Sequence, residues 1–322
     1  MTGAETEVAV CCGGVGAARF LAGLAEVVPP RQVVAVVNTG DDTVLHGLRI
    51  SPDLDTVTYT LAGAVNPSTG WGLAGESWTV MTALERYGGP TWFRLGDRDL
   101  ATHLYRTRRL AEGATLSQVA AEVAAAWGVE MRVLPMSDDA VATRVTLADG
   151  TEVGFQDYFV RLRHAVPVRA VRYEGVETAR PAPGVLEALR SAAVVVLAPS
   201  NPILSLGPIL ALPGVAEALE RRRSSVVAIS PIVAGAALKG PADRLLVELG
   251  GEASAVEVAR RLAAVAGSLV LDDADAPLAA AVERLGVRPV VTATVMRDRA
   301  AAAALAGVAI GAAGVRPAVG ER

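Results

Sequence analysis

Six short runs of uninterrupted apolar residues constrain the fold most: EVAVCC at 7–12, RQVVAVV at 31–37, AAVVVLA at 192–198, SVVAIS at 225–230, GSLVLDD at 267–273 and RPVVT at 288–292. A strand with one face in water alternates apolar and polar residues. These runs do not alternate, so both faces of each must be buried. Alanine-rich helical stretches such as AARFLAGLAEV at 17–27 and MRDRAAAAALAGVA at 296–309 accompany them. Continuous strands alternating with helices imply a parallel sheet covered on both sides. The expected class is α/β, a Rossmann-like doubly wound, mostly parallel sheet, and 52% hydrophobic residues in a chain of 322 supply ample core.

The middle of the chain has a different pattern. TLSQVAAEVAAAW, 115–127, reads as a helix, whereas MRVLPM, TRVTLADGTEVGF and VRAVRYEGVE read as antiparallel strands, with a hairpin turn at Asp149 and Gly150. The expected organisation is a nucleotide-binding core from residues 1–96 and 190–322 with an inserted α+β cap subdomain at 97–189.

Composition excludes several classes of function. A net charge of −4 with dispersed basic residues, Arg221 to Arg223 aside, leaves no footprint for nucleic acid. The apolar runs are too short to span a bilayer, and residues 1–7 carry no basic leader region, so a soluble, cytoplasmic protein without membrane partners is expected. The two cysteines, Cys11 and Cys12, are adjacent and read as small strand residues in a reducing compartment. Of 30 basic residues only Lys239 is a lysine, and alanine is abundant, a bias that suggests a GC-rich genome. A homodimer is the expectation for such an apolar α/β chain, by analogy.

Candidate chemistry gathers where strands end. CCGGVGAARF follows the first strand, and Gly13, Gly14, Val15 and Gly16 form a loop whose N–H groups suit a diphosphate at a helix start. It departs from a dinucleotide fingerprint twice: Arg19 replaces the third glycine, and Asn38 stands where an acidic ribose ligand belongs. An ordinary NAD site is therefore disfavoured, and without a following GK[ST] the loop is not a Walker A motif. After the second strand, NTGDDTVLHGLRISPDLDT packs Asp41, Asp42, Asp53 and Asp55 into residues 38–56. A turn and a helix cap account for Asp55 and Asp53. They leave the Asp41 and Asp42 pair without a role, and Asp41 with Asp53 suits a hard divalent cation.

Three further stretches lie at probable turns. WFRLGDRDLATH places Arg94 before a helix expected to begin near Asp97, with Asp99 and His103 paired one turn apart. APSNPILSLGPIL puts Ser200, Asn201 and Pro202 at a probable helix start, where exposed N–H groups suit phosphate. ISPIVAGAALKGPADR carries Lys239 and Gly240 on another strand-end loop. His46 and His164 have no metal-ligand spacing, and no Ser-His-Asp order can be assembled.

Taken together, GGVGAARF, NTGDD…SPDLDT, PMSDD, LGDRDLATH and SNPILSLGPIL with GPAD resemble the 2-phospho-L-lactate transferase family of coenzyme F420 biosynthesis from about residue 8 to about residue 300. The resemblance implies transfer from a guanosine diphosphate adduct of lactate or enolpyruvate to the deazaflavin Fo, with release of GMP and a requirement for Mg2+. Carried onto this chain, it assigns the loop at Gly13, Gly14, Val15 and Gly16, the loop at Ser200, Asn201 and Pro202, and Lys239 with Gly240 to the nucleotide. Asn38, Asp55 and Arg94 are assigned to Fo, and Asp41 and Asp53 to the metal, with Asp41, Asp53 and Asp55 as the catalytic acids. Arg19, where archaeal members carry a lysine after proline, is left without a role. The composition points to an actinobacterial type, for which the resemblance implies the enolpyruvyl adduct. The competing class is a non-catalytic UDP-sugar-binding regulatory protein of related fold, which would have no use for the acidic loop or for the RLGD segment.

Overall fold

The computed structural model of the protein describes residues 7–314, so the amino-terminal stretch read above for a leader lies almost wholly outside the described residues. The apolar runs form a central sheet of seven parallel strands: β1 (Val8–Cys12), β2 (Val33–Val37), β3 (Arg132–Pro135), β4 (Val194–Leu197), β5 (Val226–Ile229), β6 (Ser268–Leu271) and β7 (Arg288–Val291). Their spatial order is 7-6-5-4-1-2-3, and every neighbouring pair is parallel. Successive residues of β1 enter opposite cores: Ala9 and Cys11 on one face, Val8, Val10 and Cys12 on the other. This is why the strands read as continuous apolar runs and why the cysteines are adjacent yet unbonded and buried.

The chain winds from β1 out to β3, then crosses back and winds from β4 out to β7 on the other side. The reversal between β1 and β4 makes a crevice at the carboxyl edge of the sheet, where ligands bind in open α/β folds. Helix α1 (Gly14–Leu24) begins at that crevice, and α2 (Pro52–Leu61), which follows a hairpin after β2, packs beside it. The hairpin pairs Thr43–Leu45 with Leu48–Ile50 through His46 and Gly47, whose φ values of 52° and 76° suit a two-residue primed turn. His46 is thus a turn residue.

The middle of the chain departs from expectation in one respect. MRVLPM, expected among the antiparallel cap strands, supplies β3, which lies parallel to β2 with Val34 opposite Arg132. Val133 and Leu134 enter opposite cores, the same two-sided burial as in β1, and the proline ends an edge strand. Helices α3 (Asp99–Ala111) and α4 (Leu116–Ala126), the latter with a Thr115–Gln118 capping box, therefore belong to the crossover that leads to β3. A separate three-stranded antiparallel sheet, Glu152–Gly154, Ala142–Leu147 and Val168–Glu174, packs Val145, Leu147 and Val168 into the core on one side of the central sheet. Its hairpin turns at Asp149 and Gly150 as read from the sequence, and the Asp149 carboxylate accepts the Thr151 N–H at 2.9 Å. Helix α5 (Arg299–Ala312), capped by Asp298, covers α1. No described helix is long and apolar enough to cross a membrane.

Candidate active site at the reversal of the sheet

The loops after β1, β2 and β4 meet at the crevice. Ser200 donates its hydroxyl to the Gly13 carbonyl at 2.9 Å and accepts the Gly13 N–H at 3.3 Å, joining the first and third of these loops. Ser200 therefore acts as a strut. Asn201 is also engaged locally: its side-chain carbonyl accepts the N–H groups of Ile203 and Leu204. The helix expected at Pro202 begins only at Leu206, because this Asn-led turn intervenes, and Pro202 is buried within it.

The second loop carries the acids. Asp53, in the first turn of α2, accepts the Gly14 N–H at 2.8 Å and the Asn38 amide at 3.0 Å, while Asn38 accepts the Gly40 N–H at 2.8 Å. Asn38 is fully buried, and its amide orients Asp53. A Cβ at Gly13 would stand 2.5 Å from Asp53 Oδ2, so only glycine lets this carboxylate reach the start of α1. Asp42 accepts the Ser51 hydroxyl at 2.6 Å, and the Asp41 carbonyl accepts the Gln156 amide, from the helical segment that follows the strand Glu152–Gly154, at 2.8 Å.

Among the described residues none of these carboxylates forms a salt bridge, although the Arg106 charge acts on Asp42. Asp41 Oδ1 and Asp42 Oδ1 are buried without a hydrogen-bond partner. Burial pushes the Asp42 carboxyl up to about 8, against the pull of Ser51 and Arg106. It pushes Asp53 up to about 6, against the Asn38 amide and the Gly14 N–H. Asp41 is raised well above the usual carboxylate range by burial and by the neighbouring Asp53 charge. Three carboxyl groups that resist ionising together, two of them with orphaned oxygens, fit a hard divalent cation.

Asp55 has a different environment. Both of its oxygens pair with the Arg106 guanidinium, Nη1 at 3.1 Å and Nη2 more closely. Arg106 Nη1 is also 3.2 Å from His103 Nδ1, and His103 Nε2 stands 3.2 Å from Asp99 Oδ2, off the line of a good hydrogen bond. Tyr59 donates to Asp99 at 2.7 Å and meets the Thr102 hydroxyl at 2.8 Å. Burial alone works against the Arg106 charge, but the Asp55 carboxylate outweighs it and holds the guanidinium above its ordinary range. Ligand atoms of Asp55, Asp99 and His103 lie within 4.8 Å of one another. Among the described residues this is the one group of three such side chains gathered that closely, and the Arg106 guanidinium already lies against its Asp55 carboxylate.

Arg94 is exposed, its guanidinium carbon 5.1 Å from the centroid of Trp78. The turn around it is clamped reciprocally. Asp97, expected to start the helix, instead accepts the N–H groups of Thr79 and Val80, while Glu76 accepts those of Arg98 and Asp99 at the start of α3. On the other flank of α1, Lys239 donates to the Thr69 carbonyl at 2.8 Å, and Gly70 packs against both Val15 and Lys239. Arg19 lies one turn beyond Val15, exposed, and with Lys239 partly buried its charge helps to lower the lysine pKa. Gly240 follows Lys239, near Phe159 of the segment after the hairpin. The amino end of α1 is thus met by Asp53 at Gly14 and by the 66–75 loop, which carries the Lys239 contact, at Val15.

Sequence reading missed Arg106, Tyr59, Thr143, Gln156 and the 66–75 loop. For Arg106 a signal exists: Asp99, Thr102, His103 and Arg106 recur at i, i+3, i+4 and i+7, a polar stripe where a packed helix carries apolar residues.

A Rossmann strand order with a Gly-rich first loop and an acidic second loop is an α/β architecture whose ligands bind at the crevice where the strand order reverses. The chain belongs to the 2-phospho-L-lactate transferase CofD family, whose model matches residues 8–296, and it is thereby an enzyme of the transferase class. It is 46% identical over 310 residues to a phosphoenolpyruvate transferase of Kitasatospora aureofaciens, covering 94% of this chain and 96% of that one. It is 45% identical over 304 residues to one of Streptomyces griseus, covering 93% and 96%. One from Mycolicibacterium smegmatis is 43% identical over 281 residues, covering 83% and 86%. In fold, the chain is similar to a crystal structure of a upf0052 family member from Bacillus halodurans, with a TM-score of 0.60, 17% identity and coverage of 94% and 99%.

Proposed function

We propose that the protein transfers the phosphoenolpyruvyl group from enolpyruvyl-2-diphospho-5'-guanosine to the terminal ribityl hydroxyl of Fo, releasing GMP and forming dehydro-F420-0. The observation that carries this reading is the group of carboxylates without a salt bridge, Asp41, Asp42 and Asp53, of which Asp53 accepts the Gly14 N–H at the amino end of α1 and Asp41 and Asp42 each keep one oxygen without a partner. Family membership and the names of the relatives from Kitasatospora and Streptomyces support the transferase class and the enolpyruvyl choice.

In this mechanism the α1 amino end, from Gly14 to Gly16, faces the diphosphate, with Lys239 and Arg19 on its cationic flank. Asp41 and Asp53 would hold Mg2+, which when bound neutralises charge on the phosphate oxygens. The hydroxyl oxygen of Fo forms a bond to the phosphorus bearing the three-carbon acid as the bond to the bridging oxygen breaks and GMP leaves. An acid of the cluster with a raised pKa takes the hydroxyl proton. Asp42, pushed up to about 8 and not assigned to the metal, takes it in its carboxylate form. Asp55, tied to Arg106, supports the helix that carries Asp53. Arg94 stays assigned to Fo, at the end of the crevice away from the nucleotide. The homodimer is part of the proposal, and light scattering from the purified protein tests it.

The experiment offers the protein Mg2+, Fo and both guanosine adducts in one reaction and weighs the products. Enolpyruvate is planar at the carbon where lactate is tetrahedral, a shape difference worth about 1–3 kcal/mol in a close-fitting pocket. Predominantly enolpyruvyl product is expected. Predominantly lactyl product overturns the donor choice, and no coupled deazaflavin overturns the reaction.

A further inference from the structure

The antiparallel sheet contributes an oddly placed hydroxyl to the acidic loop. Along Ala142–Leu147 the inward positions are Thr143, Val145 and Leu147. Thr143 is 1% exposed, and its Oγ1 has no hydrogen-bond partner. Valine has the same shape without the group that must be stripped of water, so by packing alone valine is the better residue here.

The hydroxyl lies directly against the loop that carries the acids. Thr143 donates its N–H to the Gly40 carbonyl at 2.8 Å, and its Oγ1 occupies the space a side chain at Gly40 would need, beside Asn38 Oδ1. The residues flanking Gly40 are Thr39 and Asp41, and Thr39 Oγ1 and Asp41 Oδ1 are likewise buried and unpartnered. Two oxygens on the loop, Thr39 Oγ1 and Asp41 Oδ1, and one on the strand packed against it, Thr143 Oγ1, are left without bonding one another. A ligand that satisfies them must offer both donors and acceptors at neighbouring atoms, as a chain of adjacent alcohols does.

We propose that Thr143 and Thr39 bind hydroxyl groups of a polyhydroxylated ligand chain beside Asp41, so that the antiparallel sheet forms one wall of the acceptor site. The inference rests on the acceptor reading above, in which the ribityl chain of Fo is that ligand. Thr143 and Thr39 orient the alcohols; the sheet is held to the loop by the Thr143 N–H, and the helical segment after it by Gln156 on the Asp41 carbonyl.

The test uses Thr143→Val, Thr39→Val and Thr143→Ser in the full chain. Three readouts are taken: Fo binding by fluorescence quenching, Mg2+ binding by titration calorimetry, and the melting temperature without ligand. Thr143→Val is expected to melt no lower than the parent, and up to a few degrees higher, while binding Fo about tenfold more weakly. Thr143→Ser should recover most of the Fo affinity, and Mg2+ binding should be unchanged throughout. A residue with a merely structural role would not show rising stability together with falling affinity. Equal Fo affinity in the parent and both valine variants overturns the assignment, and so does a loss of Mg2+ binding with Fo binding intact, which would give the hydroxyls to the cation. Failure of the parent to quench Fo at all overturns the acceptor reading itself.

Discussion

Asp53 and Asp55 sit two residues apart on α2 and are buried to nearly the same degree, 7% and 5% exposed, yet their surroundings are opposite. Asp55 meets the Arg106 guanidinium on both oxygens, within a network that reaches His103, Asp99 and Tyr59. Asp53 meets only neutral donors, Gly14 N–H and the Asn38 amide, and the neighbouring Asp41 and Asp42 each keep an oxygen without a hydrogen-bond partner. Burial of acid is therefore not what marks a ligand site in this molecule. The mark is burial of acid with its counter-charge missing.

The largest expected effect comes from breaking the closed side. Arg106→Met leaves the Asp55 carboxylate buried without its partner, which should cost about 3–5 kcal/mol of unfolding free energy, read by urea denaturation. Adding Asp55→Leu to that variant should recover much of the loss, because no charge is then left behind. A single variant as stable as the parent would mean that α2 does not depend on this pair.

On the open side the same kind of change should cost the fold less. Asp41→Asn removes an acid that the fold disfavours as an anion, so its melting temperature should hold or rise, whereas Asp53→Asn turns an amide NH2 against the Gly14 N–H or the Asn38 amide and should melt somewhat lower. Turnover should fall on the order of a hundredfold or more, the effect of losing several kcal/mol of charge stabilisation on the diphosphate. Normal turnover with unchanged Mg2+ dependence in both variants would remove these residues from the metal site.

The sequence could not separate the two aspartates. SPDLDT shows both in one helical turn, and each is consistent with a capping role; the helix instead opens at Pro52, with no side-chain cap bond from Ser51. What distinguishes them arrives from elsewhere in the chain: Arg106 is 51 positions from Asp55, and Gly14 is 39 from Asp53. The β1 to β7 core was legible because two-sided burial writes itself into every residue of a strand. The same logic, applied to Val133 and Leu134, would have put β3 in the central sheet, but the neighbouring antiparallel runs masked it. Loop residues were legible by type and place and not by partner, since Ser200, Asn201 and Asn38 spend their side chains on other loop atoms.

The smallest expected effect, and the finest test of the comparison, is the pH dependence of stability. Asp42, pushed up to about 8, and Asp53, pushed up to about 6, keep in the folded state a proton that an unfolded chain releases near pH 4. Proton binding is then stronger in the fold, so their contribution is fully present below about pH 4 and is lost as pH rises through about 6 and on to about 8. Asp42→Asn should therefore gain on the parent as pH increases over that window, a difference that cancels the many other titrating groups. Mg2+ should act in the opposite sense, because ligation needs the deprotonated acids. At ten times its dissociation constant the ion adds about 1.4 kcal/mol, and that increment should be nearly absent at about pH 5 and complete at about pH 8. Melting curves at both pH values, with Mg2+ and with chelator, measure it directly. A Mg2+ shift that is the same at both would mean that the open carboxylates are not where the ion binds, and the contrast between Asp53 and Asp55 would have to be explained by the substrate alone.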